Sequence, residues 1–107
     1  MDTNYQYLAD LAEIISNIPQ DSIISRSLYE DERLKVVLFG FSPGQALSEH
    51  TASQPATLIF LQGDATLTLG GATMDAQPGT WAYIPAHLQH SVVAKSPVVM
   101  LLHLLRE

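Results

Sequence analysis

Nine short runs of β-forming residues, each stopped by turn residues, constrain this chain more than any other feature. The runs cover residues 22–29, 33–41, 45–51, 56–62, 65–69, 72–76, 80–84, 91–94 and 98–105. The stops between them include the polar trio Glu30, Asp31 and Glu32, then Pro43 with Gly44, Gly63, and the Gly70, Gly71 pair. Strands this short, with turns this frequent, fold as an all-β sandwich or barrel. The composition is uniform along the run, with no linker, repeat or low-complexity tract. At 107 residues the chain suits one domain, large enough for a single core.

The first segment reads differently. Leu8, Leu11, Ile15 and Ile18 recur at helical spacing, which predicts a helix over residues 3–18 ended by Pro19. Thr3 with Gln6 fits a capping box. The expected organisation is a helical segment at 1–20, laid on the barrel or on a partner subunit, followed by a β-barrel domain at 21–107.

Charge and composition exclude several functions. The net charge is −6, and the five basic residues Arg26, Arg33, Lys35, Lys95 and Arg106 are scattered. No basic patch awaits phosphates, so neither nucleic acid nor an anionic membrane is an expected partner. Without cysteine there is no disulfide, thiolate nucleophile or zinc–cysteine site. The N-terminal segment carries Asp2, Asp10 and Glu13 and no long apolar run, so a cytoplasmic protein is expected. Only 15% of residues are charged, which points to a surface covered by a second copy.

Two histidines stand in similar frames. Gly44 precedes His50 by six residues; Gly79 and Pro85 precede His90 by eleven and five. On a strand, alternate side chains share a face. His50 therefore shares a face with Ala52, and His90 with Val92 and Ala94. Ala56, Leu58, Phe60 and Gln62 share another face, as do Phe39 with Phe41 and Trp81 with Tyr83.

These frames resemble the two motifs of the cupin superfamily, in particular its small single-domain members. The first motif is Gly, five residues, His-x-His, three or four residues, Glu, six residues, Gly; Gly44, His50 and Gly63 match it. Ala52 stands at the second histidine position and Ala56 at the glutamate position. The second motif is Gly, five residues, Pro-x-Gly, two residues, His, three residues, Asn; Gly79, Pro85 and His90 match it. His87 takes its glycine position and Ala94 its asparagine position. The resemblance covers residues 34–105. It implies a cupin-like antiparallel β-barrel of the jelly-roll, double-stranded β-helix type, and a homodimer whose interface residues 22–29 and 98–105 could supply.

The resemblance also implies a divalent first-row metal such as iron, manganese, nickel or zinc, held by three imidazoles and a carboxylate. Here only His50 and His90 are present at ligand positions. A third ligand could come from His87 or His103, neither at a family ligand position. Gln62 is an inward amide on the same strand as Ala56, and Glu49 should face away from His50. Three readings stay open. The chain binds a small organic ligand, with His50 and His90 as polar anchors in a pocket lined by Ala52, Ala56, Leu58, Phe60 and Val92. Alternatively it is a metal-dependent enzyme of oxygenase or isomerase type with a reduced ligand set. As a third possibility it is a non-catalytic structural or regulatory dimer. No residue is assigned a catalytic role.

Overall fold

The computed structural model describes residues 4–50 and 52–106, with the backbone alone at residues 48–50. Among these, nine strands follow a single helical turn. The turn is α1 (Leu11–Ile14), and the strands are β1 (Ile23–Glu30), β2 (Leu34–Phe41), β3 (Ala46–His50), β4 (Ala56–Gln62), β5 (Ala65–Leu69), β6 (Ala72–Ala76), β7 (Trp81–Ile84), β8 (His90–Ala94) and β9 (Val98–Leu105). All pairings between neighbours are antiparallel. One sheet has the order β1-β2-β9-β4-β7 and the other β3-β8-β5-β6. Their inner faces close on one core in an all-β, cupin-type barrel.

Alternation along the strands fixes which residues fill that core. Phe41, Leu58, Phe60, Ala82, Ile84, Val98 and Met100 come from the five-stranded sheet. Ala65, Leu67, Ala76, Val92 and Ala94 come from the other. Burying each of the larger side chains contributes about 1.5–3 kcal/mol, the dominant favourable term in such a fold. The Phe39 and Phe41 rings lie 6.1 Å apart on this inner side, a separation at which tilted rings attract.

The helix expected over residues 3–18 contracts to the four residues of α1. Thr3 lies outside the described residues. Asp10 is the capping residue, and its carboxylate accepts a hydrogen bond from the Ala12 amide at 3.0 Å. The physical reason is the lack of a partner for the first half. Tyr5, Tyr7 and Leu8 are exposed, and a helix this short gains too little from its own hydrogen bonds to stand without packing. The apolar spacing is still used. Leu11, Ile14, Ile15 and Ile18 cover Leu38, Val99 and Leu101 on the outer face of the five-stranded sheet. Gly40 makes room there, because a side-chain carbon at that position would come within 2.7 Å of Ile15.

One end of the barrel gathers the segments that matter for function. His87 N–H donates to the Ala52 carbonyl at 2.7 Å, tying the β7–β8 loop to the β3–β4 connection. Gly70 N–H donates to the Gln89 carbonyl at 2.7 Å, and Arg106 N–H to the Arg33 carbonyl at 2.7 Å. The β1–β2 turn is closed by Asp31, whose Oδ1 accepts from the Arg33 and Leu34 amides, each at 2.8 Å. Its Oδ2 accepts from the Tyr29 hydroxyl at 2.6 Å. These bonds hold the Asp31 carboxyl below its ordinary range, the tyrosine bond contributing most.

Candidate functional site

His90 opens β8 at this end and is buried. Its Nδ1 lies 3.0 Å from the Leu88 carbonyl oxygen. A carbonyl only accepts, so Nδ1 carries a proton, and in the neutral ring Nε2 is the nitrogen with the lone pair. This backbone tether is the usual way an imidazole is oriented for ligand or metal contact through its other nitrogen.

His50 reaches the same row through an irregularity. Ala46 pairs with Val93 and Leu47 with Val92, and then His50 pairs with His90. Three steps on β3 therefore match two on β8. Plain alternation from Leu47, which packs on the core, would have set Glu49 opposite His90. The extra residue sets His50 there instead. Such bulges recur beside active sites because they re-aim a strand. The side chains of Glu49 and His50 lie outside the described residues. On its other side His90 pairs with Leu69 of β5.

The remaining candidates separate clearly. Ala56 is buried and alternates in phase with Leu58 and Phe60, which with Val92 belong to the packed core. Ala52 follows β3, half-buried at the rim. His87 is exposed at the rim with φ of 69°, a left-handed conformation. That is why the resemblance has glycine at this position: a side chain there costs about 1–2 kcal/mol. His87→Gly should therefore stabilise the fold by about 1 kcal/mol or less, after glycine's extra chain entropy is subtracted, and raise the melting temperature slightly. A lower melting temperature would mean that the His87 side chain contributes contacts of its own.

His103 does not join His90. On β9 the residues Val98 and Met100 face the core, and Val99 and Leu101 the outer side. His103 continues the outer phase and its Nδ1 lies 3.2 Å from the Thr57 hydroxyl oxygen. Gln62 also leaves the inner face, because the β4–β9 register shifts between Phe60 and Gln62, and its side chain is exposed. The expected inward amide is therefore absent from the barrel interior.

Among the described residues, which leave out the side chains of Glu49 and His50, no three histidine, aspartate or glutamate side chains come together. Alanine and isoleucine occupy the positions beside His90's end of β4 and β7. Two cavities lined by described residues lie outside the barrel. One of about 350 Å³ separates Tyr5, Leu8 and Leu11 from Leu28, Val36 and Leu101. The other, about 370 Å³, adjoins Ile18, Gln20, Asp21 and Ser42.

One residue at this end escapes notice in the sequence. Lys35 is there one of five scattered basic residues, yet it alternates in phase with Phe39 and Phe41. That phase is the signal that marks it as inward.

Comparison with known proteins agrees with the geometry. No curated protein matches the sequence. Among solved structures, a conserved protein of unknown function from Streptococcus pyogenes is 26% identical, with a TM-score of 0.86 over 98% of this chain and 91% of its own. A cupin superfamily protein from Desulfitobacterium hafniense shares the fold with a TM-score of 0.87 at 24% identity, over the whole of both chains. A cupin 2 conserved barrel domain protein from Leptotrichia buccalis is 28% identical, with a TM-score of 0.83 over 90% of this chain and 46% of its own. The sequence profile of the cupin domain matches residues 37–104, from the second strand to the last. With both motif histidines at one barrel end and that profile spanning the barrel, the chain belongs to the cupin family.

Proposed function

We propose that this cupin holds a small organic ligand at the His90 end of its barrel. His50 and His90 are the polar anchors, Ala52 and Ala56 leave the room, and Leu58, Phe60 and Val92 form the apolar floor. The observation that carries this reading is the pairing of His50 with His90 across the β3 irregularity, in a setting whose inner neighbours are otherwise apolar. A concave, mostly apolar site with a few fixed polar groups is the form small-molecule sites take. We further propose that the protein acts in the cytoplasm and as a homodimer. Among the described residues no helix is long and apolar enough to cross a membrane.

The test begins with elemental mass spectrometry on untagged protein, parent beside His50→Ala and His90→Ala. A thermal-shift screen of small molecules, run with and without a chelator, follows. We expect no stoichiometric metal in the parent. A true ligand at a hundredfold excess over its Kd should raise the melting temperature by on the order of 10 °C. That shift should survive chelation and disappear in His90→Ala. The second reading, a metal-dependent enzyme of oxygenase or isomerase type, is favoured by the Leu88 tether, which suits metal ligation equally well. Near-stoichiometric metal that vanishes in either variant would establish the second reading and remove the first.

A further inference from the structure

We propose that Lys35 is a third anchor at the His90 end, and that the ligand held there carries a carboxylate. The inference rests on the reading above, that the barrel holds an organic ligand.

Lys35 lies near the start of β2, where the register with β9 is unbroken. It pairs with Leu104, Leu104 pairs with Ala56 across to β4, and Ala56 pairs with Ile84 on β7. The row two residues further on is Val37, Leu102, Leu58 and Ala82, and Leu58 and Ala82 lie in the barrel core. Because side chains alternate, Lys35 leaves the sheet on the inner face, in the row of Ala56 and Ile84. Ile84 is the last residue of β7, and the loop after it leads to His90. Lys35 therefore stands at the histidine end. Two strand spacings separate it from Ala56, roughly 10 Å, and the facing sheet is about as far. A lysine's four-carbon stem with a small anion spans such a gap.

The charge balance supports an anionic guest. Lys35 is half-buried, and among the described residues it makes no ion pair. Its cross-strand neighbour on β1 is Glu30. That carboxylate is held by Arg106, with Nη2 at 2.6 Å from Oε2, while Nη1 donates to the Asp31 carbonyl at 3.0 Å. The hydrogen bond from Arg106 is the main cause that lowers the Glu30 pKa, and Lys35 contributes least. On the inner face, the position where the family motif has glutamate is Ala56. The row thus holds Lys35 and, at its β1 edge, Glu30, which Arg106 already engages, and it has no acid at Ala56. An ammonium group beside apolar walls gains most from an anionic partner. A single ammonium matches a monoanionic carboxylate, which accepts its N–H bonds, while the Nε2 lone pair of His90 suits a donor group elsewhere on the ligand.

The test uses the parent protein and the variants Lys35→Met and Lys35→Arg. Methionine keeps the unbranched stem and removes the charge. The probes are benzoate, phenylacetate and hexanoate, each beside its primary amide, with binding read by calorimetry. We expect the parent to bind at least one acid about tenfold or more tighter than its amide. Lys35→Met should abolish that preference and leave amide binding unchanged, and Lys35→Arg should keep it. Equal binding of acid and amide, lost in His90→Ala but indifferent to Lys35→Met, would overturn the role of Lys35 and leave the barrel-ligand reading standing. No binding of any acid or amide by the parent would overturn this inference and count against the barrel-ligand reading as well.

Discussion

Gly63→Ala should abolish most soluble, folded protein, and Gly63→Val should do so completely. Two costs coincide at this position. The backbone has φ of 80°, a region that side chains other than glycine enter with strain. A β-carbon would also fall 1.9 Å from the Pro97 carbonyl oxygen and 2.8 Å from the Pro97 carbonyl carbon. Those atoms are backbone, so no rotamer change relieves the contact. The β4–β5 turn is crossed there by the segment that leads into β9. That segment is further held by the Asp64 amide, which donates to the Ser96 hydroxyl at 2.9 Å, and by the Lys95 amide, which donates to the Asp64 carbonyl at 2.8 Å. Moving it would shift β9, the strand that joins β2 to β4. We expect a loss of about 4 kcal/mol or more, a large part of the stability of a domain this size. Gly79→Ala is the control. Its φ is also positive, at 96°, but nothing lies within 4 Å of the added carbon. Only the conformational cost of about 1–2 kcal/mol applies. If both variants give similar soluble yields and thermal melts, the close crossing at Pro97 does not govern folding.

The barrel was legible in the sequence because two periodicities agree there. Gly63, Gly70 and Gly79 mark turns, and the runs between them alternate, so the strand limits are nearly those observed. The N-terminal segment was less legible. Its helical spacing is real, but only a tertiary partner could have made a helix of residues 4–9, and the sheet offers one only from Leu11 onward. The site was legible in part for a different reason. Alternation counts residues, and an inserted residue changes the phase without leaving a mark in composition. The shifts between Leu47 and His50 and between Phe60 and Gln62 are of this kind. The first brings His50 opposite His90, and the second turns Gln62 outward. His103 was ambiguous because Val98–Leu105 is apolar on both faces, so its phase is visible only once the two clusters it separates are known.

Trp81→Glu should convert the proposed homodimer to a monomer. The outer face of the five-stranded sheet carries two rows across β2, β9, β4 and β7. One is Leu38, Leu101, Ile59 and Trp81; the other is Val36, His103, Thr57 and Tyr83. The N-terminal segment covers the β1–β2 side, and leaves Trp81 61% and Tyr83 49% exposed. Across Ala56–Gln62, Trp81–Ile84 and Val98–Leu105 there is no aspartate, glutamate, lysine or arginine. A solvent-facing sheet sets charged and polar residues outward, and this face has no charge there, only Thr57, His103 and Tyr83 among its apolar residues. The strand spacing and rise give the four strands a projected area of roughly 500 Å², of which the N-terminal segment already covers Leu38, Val99 and Leu101. A standard interface needs about 800 Å² per partner, so contacts beyond this face must complete it. A second copy suits it better than a charged partner, because an uncharged apolar surface is complementary to itself. Exposed tryptophan is the residue type that most often dominates such contacts, worth about 2 kcal/mol or more on truncation. That corresponds to a dimer dissociation constant about 30-fold weaker, with the added carboxylate weakening it further. On an isolated protomer the same change lies at an exposed position and should cost little, within about 0.5 kcal/mol. Sedimentation velocity over a concentration series separates the two effects, with denaturation at the lowest concentration reporting the protomer alone. A parent that sediments as a monomer throughout, or a dimer that Trp81→Glu leaves unchanged, would place the interface elsewhere or remove it.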